Sequence, residues 1–170
     1  MKVVEGDLIK LLDDGEFDVI VHGCNCFHQM GAGIARSIAD KWPAVPMTDR
    51  QMSAKGDCFK LGFYTLCDVN YDNLSMDMKL VVNMYTQYYP GREDPDVLYK
   101  SISNGFQRLH NSKLLDEKTR IGIPKIGAGI AGGNWVKIKA LIEKAMPGRD
   151  ITLVVLPEVT YVNQTRTNMD

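Results

Sequence analysis

Strands alternating with helices, in an α/β order, are what this sequence predicts, and three features carry that expectation. Short β-branched runs recur along the chain, separated by stretches whose apolar residues fall at helical spacing. The run that opens at Asp18 continues Val-Ile-Val, the unbroken apolar character of a strand covered on both faces. The pentapeptide Gly-Ala-Gly-Ile-Ala occurs twice, at 31–35 and 127–131, each time between a strand-like run and a helix-like one.

Lys2 to Glu5 and Asp18 to Cys24 read as strands, bounded by Gly6 and Gly15. From Gly31 onward Ile34, Ala35, Ile38 and Trp42 recur at helical spacing until Pro43 stops the run. Leu61 to Cys67 and Leu80 to Tyr85 read as a hairpin of strands joined through the polar stretch from Asp68 to Asp77. Leu98, Ile102, Phe106 and Leu109 share one stripe of a helix over Asp96 to His110, with Pro95 near the first turn, where its missing donor costs little. Arg120 to Ile126 is a further strand. Asn134 to Met146 is a third helix that turns Trp135, Ile138, Ile142 and Ala145 inward, and Ile151 to Leu156 is the last strand. Residues 159–170 are polar and lack apolar periodicity, so the expectation is one domain over 1–158 followed by a polar C-terminal tail.

At 170 residues and 19.0 kDa the chain has the size of one domain, able to hide roughly 70% of its unfolded surface. Hydrophobic residues at 45% and charged residues at 24% exclude collagen-like, low-complexity and wholly disordered readings. Twenty Lys and Arg against twenty-one Asp and Glu leave no global basic field, so a small ligand is favoured over nucleic acid or an acidic membrane. With no run of ~20 apolar residues and no signal-peptide pattern at the start, a cytoplasmic protein is expected. Cysteines 24, 26, 58 and 67 suit neither a disulfide scaffold nor a C-x-x-C site, and reduced thiols without a metal follow.

A Gly-rich loop between strand and helix lets backbone N–H groups approach phosphate oxygens, and the helix N-terminus adds partial positive charge. Two such loops at neighbouring strand ends can hold a diphosphate between them. Gly127, Gly129 and Gly132 also satisfy the dinucleotide-binding spacing, but only one strand follows them and Asp150 sits at its start, which argues against a Rossmann domain. No P-loop sequence is present.

Taken together, Gly6-Asp7-Leu8 after the first strand, His22-Gly-Cys-Asn25 with Met30-Gly-Ala-Gly-Ile-Ala35, and Ile123-Pro-Lys-Ile-Gly-Ala-Gly-Ile130 resemble the macro domain family, whose members bind ADP-ribose. The resemblance implies a three-layer α/β/α sandwich around a mixed, about six-stranded sheet, with the ligand across the strand ends. Through His22-x-Cys24-Asn25-Cys26 the chain is similar to the branch of ADP-ribose 1''-phosphate phosphatases and single-domain phage and bacterial proteins. Carried over by position, Asp7 accepts from the adenine amino group, Leu8 offers a backbone N–H and Asn25 faces the distal ribose. Gly31, Ala32, Gly33, Ile34, Gly127, Ala128, Gly129, Ile130 and Ala131 hold the diphosphate and distal ribose, while Leu156 borders adenine with Pro157. ADP-ribose or its 1''-phosphate is the implied ligand, ADP-ribosylated protein a further partner, and no cofactor is implied.

The chain departs from relatives that remove ADP-ribose from glutamate or DNA. Thr86-Gln87 stands where they carry a Lys, and Ala131 where the glutamate-removing enzymes carry an Asp. Phosphate removal from ADP-ribose 1''-phosphate is the leading expectation, carried by the resemblance over His22 to Ile34 and the second loop. A non-catalytic ADP-ribose binder and a hydrolase of ADP-ribosyl or acetyl esters remain open beside it.

Among titratable residues, His22 stands near the carboxyl end of a buried strand and is expected to reach the cleft as general acid or base. His28, inside the first loop beside Phe27, is the second candidate. Cys24 and Cys26 fit no C-x5-R phosphatase loop and are expected to pack. Asn83 and Gln87 are candidates to orient water or a ribose hydroxyl, and Tyr85, Tyr88 and Tyr89 to form an aromatic wall.

Overall fold

The computed structural model describes residues 1–71 and 75–158, so the expected tail at 159–170 lies outside the described residues. Six strands form one mixed sheet in the order β1-β6-β5-β2-β4-β3. They are β1 (Lys2–Glu5), β2 (Val19–Asn25), β3 (Tyr64–Asp68), β4 (Leu80–Gln87), β5 (Arg120–Ile123) and β6 (Asp150–Val155). All neighbouring pairs are parallel except β3 with β4, which is the expected antiparallel pair. Val19, Ile20 and Val21 of β2 are wholly buried between β5 and β4, as an apolar run unrelieved by polar alternation requires.

Helices cover both faces. Against one lie α1 (Leu8–Asp13), α2 (Gly33–Lys41) and α3 (Ala44–Met52), whose Leu8, Leu12, Ile38 and Val45 pack with Ile20, Val81 and Val154. Against the other lie α4 (Pro95–Asn111) and α5 (Trp135–Ala145), whose Leu98, Ile102, Phe106, Ile138 and Ile142 pack with Val21, Val82 and Ile121. Each buried Leu, Ile or Phe contributes about 1.5–3 kcal/mol of transfer free energy, which pins both helix layers to the sheet. Gly122 in β5 lets α1 approach closely, because a Cβ there would lie 2.7 Å from Leu8 and 2.8 Å from Phe17.

Three elements were not foreseen. The helix α1 is a single six-residue unit whose buried face is only Leu8 and Leu12, too short for a periodicity to register. Pro43 does end α2, but it also caps α3, and Pro46 falls in the first turn of α3, where the lacking N–H is harmless. A short 3₁₀ turn follows at Cys58–Lys60. The fifth strand stops at Ile123 rather than Ile126, since Pro124 cannot donate to the ladder and Ile126 N instead turns back to Pro124 O at 2.7 Å.

Candidate functional site

Neighbouring parallel strands β2 and β5 send their following helices to opposite faces, α2 to one and α5 to the other. Such a divergence opens a crevice beyond the carboxyl ends of the strands, where α/β sheets bind ligands. A cleft of ≈ 570 Å³ lies there, bordered by Asp7, Leu8, Gly33, Ile34, Lys125 and Leu156 among others, within the range of small-molecule sites.

The two repeated loops carry backbone donors without internal acceptors. Ala32 precedes α2 in an extended conformation and its side chain cannot cap, so the N–H groups of Gly31 to Ala35 have no partner among the described residues. In the second loop Ala128 N donates to Lys125 O at 3.1 Å, Gly132 N to Gly129 O at 3.0 Å and Gly133 N to Gly127 O at 2.8 Å. That folding leaves Gly129, Ile130 and Ala131 N–H without acceptors among the described residues. A Cβ on Gly31, Gly33 or Gly129 would meet nothing within 4 Å, so the space in front of these backbones is empty of protein atoms. Gly33 also has φ +55, a conformation that strains any other L-residue. The side chain of Ala131 packs into the core, whereas Ile130 is exposed, and residues 127–131 are not among those that border the cleft.

At the other end of the cleft Asp7 caps α1, its Oδ1 accepting from Ile9 N at 2.9 Å and Lys10 N at 3.2 Å. No hydrogen bond engages Oδ2 among the described residues, and Leu8 N–H is likewise unengaged, although the Leu8 side chain is buried. Leu156 is exposed at the rim. Sequence reasoning had not singled out Ile9, Ser37 or Lys125, which line the same space. Lys125 stands inside the quoted second-loop motif, and it has no carboxylate within 4 Å among the described residues.

The histidines separate. His22 has no exposed surface, so the expected cleft-facing group is a buried one. Its Nε2 donates to Asn83 Oδ1 at 2.6 Å, because the Asn83 amide nitrogen already serves Thr65 Oγ1 at 3.1 Å and Val45 O at 3.4 Å. Thr65 Oγ1 lies 3.1 Å from Tyr85 OH, which donates to Asp49 Oδ1 at 2.7 Å, and Lys60 Nζ donates to the same oxygen at 3.0 Å. Burial holds His22 down at a pKa of about 4, so its ring is neutral at pH 7. Asn83 and Tyr85 thus belong to this network beneath α3, and neither orients water nor walls the cleft.

His28 sits in the first loop with φ 58, a left-handed conformation unusual for a histidine, and its Nε2 is buried without a partner among the described residues. Burial, then the Lys60 charge, lowers its pKa. Asn25 shapes this loop: its Oδ1 accepts from Phe27 N at 2.9 Å and its Nδ2 donates to Gln29 O at 2.8 Å. Cys24 and Cys26 are buried as expected, and burial raises both thiols, Cys26 to about 11. Phe27 stacks on Tyr89 at 4.8 Å and meets Tyr88 edge-on at 5.1 Å, an aromatic cluster beside the first loop that excludes Tyr85.

Fold and cleft together define an α/β/α ligand-binding domain with two glycine loops at the sheet's switch point. By relatives as well as by fold, the chain belongs to the macro domain family. It is 34% identical over 158 residues to the uncharacterized 17.5 kDa protein of the tk-vs intergenic region of Enterobacteria phage T4, covering 91% of this chain and 95% of that one. An ADP-ribose 1''-phosphate phosphatase of Lodderomyces elongisporus is 28% identical over 155 residues, covering 85% of this chain and 91% of the relative. Among solved structures, the macrodomain of Mycobacterium tuberculosis DarG superposes with a TM-score of 0.69 at 17% identity over 92% of this chain and 97% of its own. Thermosipho africanus DarTG in complex with ADP-ribose gives 0.65 at 16% identity, covering 92% of this chain and 42% of that one. No family model matches the chain.

Proposed function

We propose that the cleft binds ADP-ribose and that the protein hydrolyses ADP-ribose 1''-phosphate to ADP-ribose and phosphate. The two runs of unpartnered N–H groups, at 31–35 and 129–131, are the observation that carries the binding half, since together they complement a diphosphate. Asp7 Oδ2 and Leu8 N–H then meet the adenine edge, with Leu156 beside it. Support for the phosphatase half comes from the 28% identical relative of that name.

In the reaction a water oxygen bonds to phosphorus, the bond from phosphorus to the 1''-oxygen breaks, and that oxygen takes up a proton. His28 is the group we assign to the water's proton, because it is the histidine of the first loop and its Nε2 has no hydrogen-bond partner among the described residues. His22 instead belongs to the buried network that runs through Asn83 to Val45 and Thr65. Replacing His28 with Ala should lower turnover by roughly 10²- to 10⁴-fold, while His22→Gln should act chiefly on stability.

A binder without catalysis is the second reading, favoured by Gln87, whose Nε2 is spent on Tyr89 O at 2.9 Å and Gly91 O at 3.1 Å and is not free to act on a ligand. Incubation with ADP-ribose 1''-phosphate, O-acetyl-ADP-ribose and an ADP-ribosylated protein, followed by mass spectrometry, decides among the readings. Release of phosphate from the first substrate is expected. Tight binding with all three recovered intact would establish the binder.

A further inference from the structure

Resting on the proposed binding of ADP-ribose, we propose that Arg92 selects ligands that carry an anionic group, a phosphate above all, on the second ribose. The order of strands sets the direction of the ligand. Asp7 follows β1 at one end of the sheet, the two glycine loops follow β5 and β2 in the middle, and residues 88–93 follow β4 on the far side. A ligand with adenine at Asp7 and diphosphate between the loops has its second ribose directed towards that last segment.

This segment is tied to both loops. Cys26 N donates to Tyr88 O at 3.0 Å and Glu93 N donates to Ala131 O at 3.2 Å. Arg92 lies against the second loop, with Cγ 3.5 Å and both Nε and Cζ 3.7 Å from where a Cβ of Gly132 would stand. Acidic neighbours do not neutralise it: Glu93 accepts from the N–H groups of Tyr88 and Asp94, and Asp94 caps α4 through Asp96 N and Val97 N. No carboxylate lies within 4 Å of the Arg92 guanidinium among the described residues. A guanidinium with no carboxylate partner among the described residues, lying against Gly132 of the second loop, suits a second phosphate, which its planar fork can grip through two oxygens.

The test compares ADP-ribose, by calorimetry, with ADP-ribose 1''-phosphate, by rapid mixing before the first turnover, on wild type, Arg92→Ala and Arg92→Lys. Because the side chain is exposed, both variants should fold. The wild type should prefer the phosphorylated ligand. Arg92→Ala should erode that preference tenfold or more, and Arg92→Lys should restore part of it by charge without the fork. Equal losses for both ligands would reassign Arg92 to the diphosphate and overturn the proposal, as would an unaltered preference. A wild type that binds neither ligand would defeat the ADP-ribose reading itself, an outcome separate from the other two.

Discussion

Gly33 and Gly129 test the proposed site most sharply, since each faces open space that the proposed diphosphate would fill. Gly129→Glu should fold normally, having no protein atom to displace within 4 Å, yet lose measurable ADP-ribose binding in calorimetry. Gly33→Glu should lose it too, with about 1 kcal/mol of added strain from φ +55. Wild-type affinity in both variants would rule out the two-loop site. Asp7 needs a subtler change, because Asp7→Ala also removes the cap of α1, worth about 1 kcal/mol. Asp7→Asn keeps a capping oxygen but ends the negative charge proposed to face the adenine amino group, so a more than tenfold weaker Kd with unchanged stability is expected. The loops were readable from sequence because glycine repeats mark them. The burial of His22 was not, because the group that covers its strand end, α3, announces itself by no apolar period.

That helix and the network under it are the element least foreseen. Asp49 and Lys60 are both fully enclosed, so removing either partner alone leaves an uncompensated charge, at a cost of about 3–5 kcal/mol. Lys60→Met and Asp49→Leu should each lower the urea midpoint steeply, whereas the double variant should recover much of the loss, less the Tyr85 hydroxyl that it orphans. Equal, additive losses would show that the pair is not coupled. The same network gives the protein an acid sensitivity. His22 is held down at about 4 against an ordinary value of about 6.5, so the unfolded chain binds a proton there that the folded chain refuses. Stability is full above about pH 6.5 and falls as pH drops towards 4, by roughly 3 kcal/mol at about 1.4 kcal/mol per pH unit. Urea titrations of His22→Gln should show a flatter pH profile than wild type across that window.

Over the molecule as a whole, ligand and fold should report on one another. ADP-ribose at about one hundred times its Kd stabilises the native state by about 2.7 kcal/mol, which for a domain of this size lifts Tm by roughly 5–10 °C. A thermal scan without that rise would count against the proposed ligand. The α/β order and most strands were legible because each long element carries its own period, while the turns, short helices and polar network depend on contacts distant in sequence. One such contact governs the chain's history. β1 is paired with β6 alone, Lys2 against Thr152 and Glu5 against Val155, and those two strands carry Asp7 and Leu156 to the same rim. On the ribosome β1 must therefore wait, unpaired, for β6. The middle of the sheet can assemble early, but the rim proposed to take adenine closes only once β6 has been made, and a chain halted before residue 150 would display both glycine loops without that rim.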